Sequence, residues 1–194
     1  MLAKLRNKSH TDYKTDELSS LWAAIREGER ESLSELFFVS YSWLFNYGYK
    51  IVPEAAFVKD AIQELFLTLW EQRESINEAK SVRAYLFSSL RRIIFRRLEK
   101  KKNRTRRNHT YEENVFKEIY NVEELMIHFE TKQERKKELT QALQSLSKRQ
   151  KEAIYLKFYN GLSNDEIARV MQINTQSVYN HVSKAIHSMQ EFIK

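Results

Sequence analysis

Apolar residues recur along this chain at intervals of three and four, the period of one face of an α-helix, rather than at every second position. Leu18, Leu21, Trp22 and Ile25 mark a first helix that starts near Thr15 as its cap and ends at Gly28. A second, over 29–52, is crowded with Phe37, Phe38, Tyr41, Trp43, Phe45, Tyr47 and Tyr49, and Pro53 ends it. Val58, Ile62, Leu65, Phe66, Leu69 and Trp70 draw one apolar stripe along a third helix at 54–72. Ser81 caps a fourth, which carries Tyr85, Leu86, Leu90, Ile93, Ile94 and Leu98 inward. From Lys101 to Thr131 the period weakens, with Asn103, Asn108, His109 and Thr110 as breakers and an acidic stretch at 112–130.

Past Lys132 the pattern returns. Leu139, Leu143 and Leu146 predict a short amphipathic helix. Ser147 and Gln150 have the spacing of a capping box, and open a helix with Ala153, Ile154 and Phe158 that ends at Gly161. Ser163 and Glu166 repeat the box. Ile167, Ala168 and Met171 face inward, and Ala168 is small where a second helix must cross closely. Ile173 plugs a turn, Asn174 caps the next helix, and Val178, Val182 and Ala185 turn to the core. Gln176, Ser177, Asn180, His181 and Lys184 are left pointing outward. This is a helix-turn-helix, whose last helix is shaped to enter the DNA major groove. A plain helical pair would explain the apolar spacing but not the amide-rich outer face.

The fold class is therefore all-α: two small helical domains joined by a basic linker, the second containing the helix-turn-helix. Three glycines, one proline and little alternation leave no basis for a sheet. The expected division is a disordered 1–14, a helical domain at 15–100, a linker at 101–131 and a second domain at 132–194. Residues 1–14 are polar and lack the apolar centre of a signal peptide, and no stretch is long and apolar enough for a membrane. A cytoplasmic protein is expected. The chain has no cysteine, which excludes disulfides and thiolate sites.

Charge sharpens this picture. Residues 1–90 carry 11 basic and 13 acidic side chains, and 108–194 carry 12 of each. Residues 91–107 carry 10 basic and one acidic, so the whole excess of +7 sits in that run. A block of one sign repels itself unless a polyanion is near, and nucleic acid is the natural one. The histidines at 10, 109, 128, 181 and 187 are scattered, with no pair at helical metal spacing, and no glycine-rich loop can cradle phosphate. No catalytic, metal or cofactor-binding residues are identified, no cofactor is expected, and an enzyme is not expected.

Taken in order, these blocks resemble the bacterial sigma-70 family of RNA polymerase sigma factors, in its small two-domain, extracytoplasmic-function branch. The stretch from Asp60 to Trp70 is similar to the family's polymerase-binding helix, Ser81 to Leu98 to its promoter-melting helix, and Gln141 to Ala185 to its helix-turn-helix domain. The resemblance implies a non-catalytic protein that binds core RNA polymerase through Asp60, Gln63 and Glu64. These lie opposite the apolar stripe of the third helix, with Glu71.

The resemblance further implies that the loop at 76–80 and the next helix meet the promoter −10 element and capture a flipped base. Arg83, Arg91, Arg92, Arg96 and Arg97 are the candidate contacts, and Tyr85 is a core residue before it is a stacking platform. Gln176, Ser177, Asn180, His181 and Lys184 would read the −35 element. Arg92 departs from the family, where Asn is common, and Tyr179 stands where Lys or Arg is frequent. An anti-sigma factor, often membrane-bound, is the further partner implied. The alternative is a stand-alone dimeric helix-turn-helix regulator, which would bind duplex operator unaided.

Overall fold

The computed structural model describes residues 15–107 and 141–192, and every regular element among them is helical. The expected disorder at 1–14, the linker from 108 onward and the helix start near Leu139 lie outside the described residues. The chain divides into two compact units, Met1–Thr110 and Tyr111–Lys194.

Unit one holds four helices: α1 (Thr15–Arg26), α2 (Arg30–Ile51), α3 (Ala55–Glu71) and α4 (Val82–Arg107). Asp16 and Glu17 in the first turn of α1, and Arg26 in the last, complement its macrodipole. Gly28 ends it at φ +91°, while the Glu29 N–H returns to the Ala24 carbonyl at 3.0 Å. Pro53 separates α2 from α3 as expected. Ser81 caps α4, its hydroxyl accepting the Ala84 N–H at 3.2 Å.

α2 packs against the other three helices. Phe87 of α4 sits between Trp43 and Tyr47 of α2, with ring centroids 4.7 and 5.0 Å away. Phe37 meets Phe66 of α3 at 5.1 Å. The buried face of α4 is wider than a single stripe: Val82, Ala84 and Phe87 are buried along with Leu86, Leu90, Ile93 and Ile94, because α4 packs against α1, α2 and α3. Tyr85 and Leu98, expected inward, are half-buried.

Another departure is length. α4 continues to Arg107, seven residues past the expected domain end at 100 and through Asn103. Lys and Arg are strong helix formers, the run has no Gly or Pro, and one Asn costs only about 0.7 kcal/mol or less.

Gly48 is buried in the middle of α2. A Cβ there would lie 2.7 Å from Val58 Cγ1, 3.4 Å from Ile94 Cδ1 and 3.6 Å from Leu90 Cδ2. The glycine costs helix propensity but lets α3 and α4 close onto the α2 backbone.

Unit two begins, in its described part, with helical residues 141–145, which bury Ala142 and Leu143. α5 (Lys148–Ile154), α6 (Asn164–Met171) and α7 (Thr175–Phe192) follow. Both expected capping boxes form: Ser147 with Gln150, and Ser163 with Glu166. Ile167, Ala168, Met171, Val178, Val182 and Ala185 are all buried.

Phe158 is the exception: it is 56% exposed. α5 runs on as a π-helical segment, Tyr155–Tyr159, and the wider winding carries Phe158 off the stripe set by Ala153 and Ile154. In its place Tyr155 goes inward and stacks on Tyr159 at 4.8 Å. Gly161 closes the segment at φ +66°.

Gly48→Ala should destabilise unit one by about 1–3 kcal/mol through overpacking. Urea denaturation followed by tryptophan fluorescence reads this directly; an unchanged midpoint would mean that the Val58 side chain yields freely.

Candidate nucleic-acid interface

The turn between α6 and α7 is made by Gln172, left-handed at φ 56° and ψ 46°. Its N–H and that of Ile173 both return to the Ala168 carbonyl, the latter at 3.1 Å. Holding a non-glycine residue there costs roughly 1–2 kcal/mol. Asn174 Oδ1 then accepts the Ser177 N–H at 2.7 Å, capping α7 as expected. The Thr175 hydroxyl donates to Asp165 Oδ1 at 2.9 Å, tying the first turn of α7 to the first turn of α6.

These contacts aim the outer face of α7. Gln176, Asn180 and Lys184 are exposed at four-residue intervals, and Ser177 and His181 are half-buried beside them. Gln176 Nε2 donates to Asn180 Oδ1 at 3.2 Å, so the two amides hold each other in register. The acceptor of one and the donor of the other together match an adenine edge. His181 is held below its ordinary 6.5, first by burial, then by Arg149 and Lys184. The shift favours the neutral ring, which can donate or accept.

Arg149, exposed in the first turn of α5, was not among the expected site residues. It is 32 positions from His181 in the chain, and only the fold makes them neighbours. Two cations at a helix start, Lys148 and Arg149, run against the macrodipole and were the local signal available. Lys151, just beyond, is held below 10.5 by burial and by Lys148.

In unit one, Asp60 and Gln63 are exposed on α3, and Glu64 is half-buried. Leu67 is 63% exposed on the same helix, four residues beyond Gln63, an apolar residue that the acidic pattern concealed. Arg83 lies 5.6 Å over Trp43, Arg91 lies 4.5 Å over Phe95, and Arg92 is exposed. Arg96 and Arg97 reach back to α3, where both pair with Glu64; Arg97 Nε donates to it at 2.6 Å. Arg97 also donates to the Asp60 carbonyl at 3.3 Å, and Lys101 approaches Glu54 at 3.5 Å. Side chains assigned to two different partners are thus in contact with each other. Tyr85 stands edge-on to Trp22 at 4.7 Å, which is a packing role.

The loop at 72–81, between α3 and α4, is fastened at both ends. Arg73 lies 4.7 Å over Trp70, with Arg30 at 5.8 Å over the same ring, and donates to the Trp70 carbonyl at 3.0 Å. Ser81 holds the other end as the cap of α4. Among the described residues no group of three or more His, Asp or Glu could hold a metal ion, and no helix is long and apolar enough to cross a membrane.

The family model for sigma-70 region 2 matches residues 38–104, and that for sigma-70 region 4 matches 136–188. The fold is similar to that of CnrH, solved in complex with the cytosolic domain of CnrY: 18% identity, 90% of this chain and 96% of that one, TM-score 0.59. It is also similar to the sigma factor RpoE from Bartonella quintana, solved with the anti-sigma factor NepR: 19% identity, 92% and 94% coverage, TM-score 0.53. Searched against curated proteins, the sequence matches none.

His181 should titrate below 6.5 in the folded protein, and Arg149→Ala should move its midpoint upward by removing the larger of the two cationic causes. Because the folded form disfavours the proton, this group lowers stability as pH falls below the unfolded value and has no effect well above it. Proton NMR of the imidazole across pH 4–8 checks both; a midpoint that Arg149→Ala leaves in place would separate Arg149 from this site.

Proposed function

The chain belongs to the sigma-70 family, and from that premise we propose that it is an extracytoplasmic-function sigma factor, a non-catalytic subunit that directs core RNA polymerase to promoters. One observation carries the reading. Region 2 falls on the unit with the acidic α3 face and basic α4, and region 4 falls on the unit with the helix-turn-helix. A stand-alone dimeric regulator would need unit one for dimerisation, and that is where region 2 matches.

Each assigned role has a physical basis. Asp60, Gln63 and Glu64 offer carboxylates and an amide to a basic helical partner on the polymerase, and Leu67 gives that contact an apolar anchor. The fastened loop at 72–81, with Arg83 and Arg91 on α4 beyond it, receives the −10 element, and an unstacked base captured there opposes duplex closure. Arg92, Arg96, Arg97 and Lys100 neutralise phosphate. The pairs of Arg96 and Arg97 with Glu64 are partly exposed, worth about 0.2–1 kcal/mol each, and exchange for phosphate at little cost.

The face bearing Gln176, Ser177, Asn180, His181 and Lys184 reads the −35 element, and Arg149 braces it on the backbone. The place of action is the cytoplasm, where polymerase and promoters are. CnrH and RpoE were each solved with a partner, an anti-sigma factor in the case of RpoE, which supports an anti-sigma partner for this chain.

Charge reversal of Asp60 and Glu64 should weaken binding to core polymerase by about tenfold or more, the scale of one charge-assisted hydrogen bond. Fluorescence anisotropy with labelled protein measures it, and full affinity in the double variant would remove these residues from the interface. Neutralising Arg96, Arg97 and Lys100 together should weaken the holoenzyme on all promoters alike and flatten the slope of log affinity against log salt by about 3. A loss confined to one promoter sequence would contradict it.

A further inference from the structure

Trp22 is almost wholly buried, yet its contacts reach beyond the core. A buried indole N–H requires an acceptor. Here it donates to the backbone carbonyl of Asn77 at 3.1 Å, across 55 positions of sequence. The same ring meets Tyr85 edge-on, at 4.7 Å and 65°. Trp22 therefore touches both the middle of the loop at 72–81 and the first turn of α4.

The loop has little else to fix its middle. Arg73 and Ser81 fasten its ends. Ser75 and Ile76 bond back to the Gln72 carbonyl at 2.9 and 3.0 Å, which shapes only its start. Asn77, Glu78 and Lys80 are exposed, and Ile76 and Ala79 are only half-buried. A site that selects one base by shape needs its backbone held to within about 0.5 Å.

We propose that Trp22 is a positioning residue for the −10 loop: its N–H, bonded to the Asn77 carbonyl, sets the backbone shape at 76–80 that discriminates the captured base. This rests on the promoter-binding reading above. Trp22 touches no DNA and acts through the loop.

The test uses holoenzyme reconstituted from core polymerase and the full chain, with single-stranded non-template oligonucleotides that vary at one −10 position. Two variants are compared with wild type. Trp22→Phe keeps an aromatic ring and loses the donor. Site-specific replacement of Trp22 by benzothienylalanine keeps the bicyclic shape and loses only the N–H, so the test survives if Trp22→Phe folds poorly. The expected result is a preferred-to-disfavoured affinity ratio reduced roughly two- to tenfold, the range for one net hydrogen bond. Core affinity and binding of a −35 duplex stay unchanged.

An isostere that keeps the wild-type ratio would overturn the proposal and leave Trp22 as core packing, whatever its melting temperature. Wild-type holoenzyme with no −10 preference at all would instead bring down the promoter reading, and the proposal with it.

Discussion

At Gly48 the backbone of α2 lies bare against Val58, Leu90 and Ile94, and this contact decides where α3 and α4 can run. With α3 and α4 drawn onto one helix, the rings of Trp43 and Tyr47 close on Phe87, and Phe37 closes on Phe66. The outer residues of α3 then come within reach of the basic residues of α4. The surface chemistry of the unit follows from an absent side chain in its core.

That proximity changes how the charges are understood. Glu64 neutralises part of Arg96 and Arg97, so the +9 excess of residues 91–107 is not all presented to solvent. Pairs of this exposure are weak and are screened by salt. A phosphate on the arginines and a polymerase helix on Glu64 would each compete with this internal pairing. On the proposed reading, engagement of Glu64 by polymerase would leave both guanidinium groups for DNA, and binding at one face would favour binding at the other.

Local features were legible in the sequence. Ser147 with Gln150, Ser163 with Glu166, and Asn174 act within one helical turn, and each forms as its spacing required. The helices of both units were legible from apolar period, because each buries at least one face, α4 more than a single stripe. The features that were not legible depend on distance in sequence or on a change of winding. Arg149 near His181, Arg96 and Arg97 on Glu64, and Trp22 on Asn77 join positions far apart in sequence, and no local pattern announces these pairings. Phe158 leaves its expected inward place because α-helical spacing does not hold through a π-helical segment. Asn103 has the character of a helix breaker, but a basic run of good helix formers carries the helix past it.

The unbroken run of α4 has a geometric consequence. Its 26 residues span about 39 Å as one rod. Arg92, Arg96 and Lys100 recur every four residues along it, about 6 Å apart. Two nucleotides of a single DNA strand rise about 6.8 Å. The match is in rise alone: the strand winds about its axis while the rod runs on, so the two stay in step for only a few contacts. On the proposed reading, such a rod would grip a short length of backbone at any sequence, and its grip would end where the strand winds away rather than at a wall.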